Sequence, residues 1–69
     1  MVTIFGKDTC PYTRAAMEDH KRRAVAFEYV NVKKSPVDLD RMLSLSGGQR
    51  RVPVILGDDG KVTIGFGGT

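Results

Sequence analysis

A chain of 69 residues with a net charge of +3 buries only about 60% of the surface its unfolded form exposes, so we expect one thin-cored domain spanning residues 1–69. The 41% hydrophobic and 28% charged residues are ordinary for a globular protein and argue against disorder or a fibrous repeat. No apolar run approaches the roughly 20 residues of a membrane span, and a single cysteine cannot staple a small secreted domain, so the expectation is a cytoplasmic protein without membrane segment or leader. The basic runs Lys21-Arg22-Arg23 and Arg50-Arg51 could attract anions. Nucleic acid is not expected as a partner, because Phe5, Tyr12, Phe27, Tyr29 and Phe66 fall mostly in apolar strand patterns and do not interleave a basic stripe.

In chain order, Val2 to Phe5 are β-branched or aromatic and stop at Gly6, which predicts a short buried strand. Thr9 is a candidate helix cap, Pro11 suits a first helical turn, and Thr13 to Arg23 contains no breaker. The inward stripe of this helix is predicted as Thr13, Ala16, Met17, His20 and Ala24. Phe27 to Val32 reads as a second strand, and a strand-helix-strand order predicts a parallel crossover. Ser35-Pro36-Val37-Asp38 carries a cap, a first-turn proline and a weak capping box, opening a helix that presents Val37, Leu39, Met42 and Leu43 and ends at Gly47-Gly48. Val54 to Leu56 and Val62 to Ile64 flank the turn residues Gly57-Asp58-Asp59-Gly60, predicting an antiparallel hairpin.

Chemistry concentrates at Cys10. The nucleophile of thiol exchange is the thiolate, and a helix amino terminus favours negative charge while leaving the sulfur reachable. Lys7 and Arg14 add positive charge nearby, and Asp8 opposes them. Thr13, three residues on, stands where a two-cysteine motif would place its second thiol; it cannot form a disulfide, but its hydroxyl can donate to the thiolate. His20, ten helical residues further along at about 1.5 Å each, is too distant to act as a base for Cys10. With no second cysteine or histidine, no protein-only metal site is expected. The carboxylates at Asp58 and Asp59 fit a turn, and those at Asp38 and Asp40 a helix start.

Lys7-Asp8-Thr9-Cys10-Pro11-Tyr12-Thr13 after a strand, with Val52-Pro53 before a later hairpin, resembles the glutaredoxins over nearly the whole chain. The resemblance implies an α/β, thioredoxin-like domain of order β-α-β-α-β-β with a mixed four-stranded sheet, from which this chain is expected to depart in having the final helix absent. It also implies a cis Val52-Pro53 bond and one bound glutathione as co-substrate. In that arrangement Cys10 meets the glutathione sulfur, Lys7 the glycine carboxylate and Tyr12 the groove wall. Val52 pairs with the ligand backbone beside Pro53, Gln49 and Arg51 offer carboxylate contacts, and Gly67 and Gly68 lie at the γ-glutamyl end.

Thr13 replaces the second cysteine of the two-thiol members, and Arg51 stands where threonine is common. The ending Ile64-Gly65-Phe66-Gly67-Gly68-Thr69 is similar to the tail of NrdH-like redoxins, which take electrons from thioredoxin reductase. The implied function is monothiol exchange on glutathione mixed disulfides by a monomer, with glutathione and glutathionylated or disulfide substrates as partners. Two alternatives are glutathione-ligated iron-sulfur binding by a homodimer, and a non-catalytic redoxin-like binding domain.

Overall fold

The computed structural model describes residues 1–66; Gly67 and Gly68, assigned above to the γ-glutamyl end of the groove, lie outside the described residues. Its elements run β1 (Val2–Gly6), α1 (Pro11–Arg22), β2 (Phe27–Asn31), α2 (Pro36–Ser46), β3 (Val54–Leu56) and β4 (Val62–Ile64). Strand order is β2-β1-β3-β4. β1 and β2 are parallel in the register Val2 to Phe27, while β3 pairs antiparallel with both β1 and β4. The predicted mixed α/β, thioredoxin-like sheet is therefore present, and the strand-helix-strand unit is parallel.

Successive strand residues point to opposite faces, so Ile4 and Phe5, both fully buried, enter two different cores. Phe5 packs with Val30, Val32, Met42 and Val54 on the face joined by Leu39 and Leu43 of α2. Ile4 packs with Val2 and Ala16 on the face covered by α1. Neither core is large. The guanidinium of Arg41 extends the first by lying 5.2 Å from the centre of the Phe5 ring.

Thr13, Ala16 and His20 form the buried stripe of α1, with Met17 packed beside it, as the helical spacing predicts. His20 is structural: its Nδ1 donates to the Ala16 carbonyl at 2.7 Å, and its ring meets Phe27 edge-on. Ala24 does not continue the stripe. The helix ends before it, and Ala24 turns outward with a left-handed φ of 56° while the Val25 N–H reaches back to the His20 carbonyl at 2.9 Å.

Val37 is also displaced from its predicted place and is 69% exposed. Leu39, Met42 and Leu43 share one side of α2, and Val37 sits about 200° of helical rotation from Leu39, on the other side. Gly47 ends α2 as expected, with a φ of 69° that a side chain would resist, and the Gly48 N–H closes onto the Leu43 carbonyl at 2.8 Å. Among the described residues no helix is long and apolar enough to cross a membrane.

Candidate active site

The turn from β1 into α1 places Cys10, and not the predicted Thr9, at the cap position. Pro11 occupies the first turn, where its missing N–H costs nothing, and the Cys10 N–H bonds the Lys7 carbonyl at 3.2 Å to shape the loop. No side chain caps this helix, so its leading N–H groups are not consumed by a neighbouring oxygen. Cys10 is 7% exposed, and its Sγ lies 3.9 Å from the Val52 carbonyl, to which the thiol donates weakly. The Val52-Pro53 bond is cis, as the resemblance implied. Pro53 is buried, and its carbonyl accepts the Gly65 N–H at 2.7 Å, which ties the turn to the end of β4.

Burial pushes the Cys10 thiol up, but other groups outweigh it and hold the thiol below its ordinary value. The Thr13 hydroxyl contributes most, followed by the backbone N–H groups of Thr13 and Tyr12, and then the charge of Lys7. Thr13 is fully buried, and among the described residues its Oγ1 is the one buried side-chain polar atom without a protein partner beside a neutral thiol. An orphaned hydroxyl is costly to bury, so the thiolate is both stabilised by Thr13 and the group that satisfies it.

Two supporting residues escaped the sequence reading. Gly6 carries no side chain because Thr13 occupies that space: a Cβ on Gly6 would come within 2.5 Å of Thr13 Oγ1. A glycine ending a β-branched strand, one sheet layer from a helix-start cysteine, is the signal that could have found it. The other is Tyr29 on β2, whose hydroxyl donates to Asp8 at 2.7 Å. Burial, then that bond and the charge of Asp8, and lastly the charge of Cys10 drive the Tyr29 phenol well above its usual range. Tyr29 therefore stays protonated and occupies the carboxylate that opposes the thiolate.

Cys10, Lys7, Thr13 and Val52 thus come together. Tyr12 stands 42% exposed in the first turn of α1, and its backbone N–H faces the sulfur. Gln49 and Arg51 are exposed on the loop before the cis bond, where the Gln49 carbonyl accepts the Ser46 hydroxyl at 2.8 Å. From that loop it is Arg50 that lines a groove of about 470 Å³, together with Lys7 and Val52. Among the described residues, no group of three or more His, Cys, Asp or Glu side chains is arranged to hold a metal ion.

A lowered thiol at a strand-to-helix turn, facing the carbonyl of a cis-proline turn across a mixed sheet, defines a thioredoxin-fold protein of thiol-disulfide redox chemistry. The glutaredoxin family profile matches residues 2–62. An 8.6 kDa glutaredoxin-like protein from the rubredoxin operon of Clostridium pasteurianum is 36% identical over 66 residues, which cover 96% of this chain and 85% of that relative. The chain belongs to the glutaredoxin family.

Among solved structures, the glutaredoxin grx-1 of Archaeoglobus fulgidus superposes with a TM-score of 0.81 at 30% identity, over 96% of this chain and 75% of its own. NrdH-redoxin of Escherichia coli, a glutaredoxin-like protein described as having a thioredoxin-like activity profile, gives a TM-score of 0.81 at 26% identity, over 96% and 83%.

Proposed function

We propose that this protein is a monothiol oxidoreductase that exchanges glutathione mixed disulfides through Cys10. The reading is supported above all by a thiol held more acidic than its ordinary value that faces a cis-proline turn in a chain with one cysteine. In the first step the Cys10 thiolate attacks the glutathionyl sulfur of RS–SG; a new S–S bond forms on Cys10, the old one breaks, and RS⁻ leaves and takes a proton. In the second step a glutathione thiolate attacks the Cys10 mixed disulfide, releasing oxidised glutathione and the Cys10 thiolate. Both electrons come from glutathione.

In this reading Lys7, Gln49 and Arg51 meet ligand carboxylates, and Tyr12 walls the site. Val52 presents backbone groups beside Pro53, Thr13 supports the thiolate, and Gly67 and Gly68 are the residues assigned to the γ-glutamyl end. A lone thiol with no disulfide partner in its own chain suits the reducing cytoplasm. The likeness to NrdH-redoxin supports a second reading in which the thiol is regenerated by a protein reductant.

Reduction of a glutathionylated peptide, coupled to NADPH through glutathione and glutathione reductase, tests the first reading against the second. Glutathione-dependent turnover is expected from the wild type and none from Cys10→Ser. Turnover that ignores glutathione and requires thioredoxin reductase overturns glutathione as the co-substrate.

A further inference from the structure

The groove beside the thiol is built for more than one small carboxylate. Val32, Pro36, Leu39 and Met42, from the end of β2 and from α2, give it an apolar floor, and Val52 closes the side toward Cys10. Lys7, Lys33 and Arg50 line the groove too, and among the described residues no carboxylate does. Among the described residues none of these three cations has an ion-pair partner. Asp8, next to Lys7, is engaged with Tyr29, and Asp38 in the first turn of α2 with Arg41. By contrast, the basic run at the end of α1 is partly neutralised, since Arg22 and Arg23 both pair with Asp19.

Glutathione carries its sulfur on its middle residue, so with that sulfur at Cys10 only one residue, about 3.5 Å of chain and one carboxylate, extends on this side. Three cations without an ion-pair partner among the described residues, and the apolar floor of a groove of about 470 Å³, are left largely unanswered by it. An extended segment with two acidic residues and an apolar side chain answers both. Val52 of the cis turn lines the groove, and the ladder to β1 begins only at Val54, so the Val52 backbone borders the path such a strand would take.

We propose that this groove docks an acidic, apolar-bearing peptide segment of a protein disulfide substrate, whose own cysteine sulfur is the atom that Cys10 attacks. The proposal rests on thiol exchange at Cys10 but not on glutathione as the co-substrate. The Cys10 thiolate displaces one sulfur of the partner's disulfide, forming a Cys10-partner S–S bond and releasing the other sulfur as a thiolate that takes a proton. A low-molecular-weight thiol then attacks the Cys10 sulfur and frees the partner as a dithiol. A second such thiol restores Cys10, so two external thiols supply the two electrons.

Peptides bearing one cysteine in disulfide linkage to thionitrobenzoate test this without glutathione, because attack on the peptide sulfur releases a coloured thiolate in a single turnover. Three peptides are compared, each with a leucine beside flanking glutamates, glutamines or lysines, along with the small thionitrobenzoate disulfide of 2-mercaptoethanol, whose one charge is the reporter carboxylate that all four compounds share. In low salt the glutamate peptide is expected to react about tenfold faster than the glutamine one and the lysine peptide slower than both, converging near 0.5 M salt. Replacing its leucine by serine should slow the glutamate peptide. The double variant Lys33→Glu, Arg50→Glu, both at exposed positions, should reverse the charge order while leaving the small disulfide unchanged.

Equal rates for the three peptides in the wild type, or a preference for glutamate that survives the double variant, overturns the groove assignment. Failure of glutathione-coupled turnover alone overturns only glutathione as the co-substrate.

Discussion

The two helices begin with the same sequence grammar and reach opposite ends. Ser35-Pro36 opens α2: the Ser35 hydroxyl oxygen accepts the Asp38 N–H at 3.3 Å, and Asp38 adds a negative charge to the first turn. Cys10-Pro11 opens α1 with no side-chain cap and no acidic residue in the first turn. One start is closed for stability, with a cap worth about 1 kcal/mol, and the other is left open so that its N–H groups reach a sulfur. Between them they show what a reactive helix start forgoes: the capping oxygen and the first-turn carboxylate, both of which compete with a thiolate for the same donors.

The most severe way to break this contrast is Cys10→Ser, which turns the open start into a copy of the closed one. Exchange activity should vanish, while the serine oxygen caps α1 and offsets the loss of the thiolate to within about 1 kcal/mol. Chemical denaturation across pH checks the linkage. Because the folded thiol is held below its ordinary value, its ionisation adds stability that is fully present above the unfolded thiol's pKa and is lost as pH falls through the folded one. Wild type should therefore lose stability relative to Cys10→Ser as pH is lowered through that window.

Gly6→Ala comes next, since it drives a methyl group into Thr13 and displaces the hydroxyl that does most to lower the thiol. We expect a loss of about 1–3 kcal/mol from overpacking and a raised Cys10 pKa, read from thiolate absorbance. Adding Thr13→Ala to that variant should recover much of the stability and none of the acidity, which separates the space Gly6 leaves from the bond Thr13 makes.

Ser35→Ala breaks the closed start instead. It should cost about 1 kcal/mol by thermal or chemical unfolding and leave the rate of thiol attack unchanged. The smallest effect expected is that of Lys7→Ala: Lys7 ranks last among the groups lowering the thiol, so this variant should raise the Cys10 pKa less than Thr13→Val does.

The sequence alone determined the six elements, their order and the place of the cysteine at the start of α1. Short-range physics is written in short-range patterns: the β-branched run Val2 to Phe5, the helical spacing of Thr13, Ala16 and His20, the turn residues between β3 and β4, and a cysteine just ahead of a first-turn proline. Where a pattern was ambiguous it misled at the ends of helices. Thr9 gave way to Cys10 as the cap, Ala24 left its stripe, and Val37 faced outward, because a helix's first and last turns answer to the chain entering or leaving them as much as to the helical period.

Only the tertiary structure decided how residues far apart in the chain meet at the sulfur. Val52, 42 positions after Cys10, brings its carbonyl to 3.9 Å, and Tyr29 on the neighbouring strand holds Asp8. Gly6 makes room for Thr13, and Arg50 rather than Gln49 or Arg51 joins Lys7 and Lys33 around one groove. Such contacts depend on strand order and loop geometry, which the whole fold sets together; no local propensity encodes the distance between two side chains that approach from different elements.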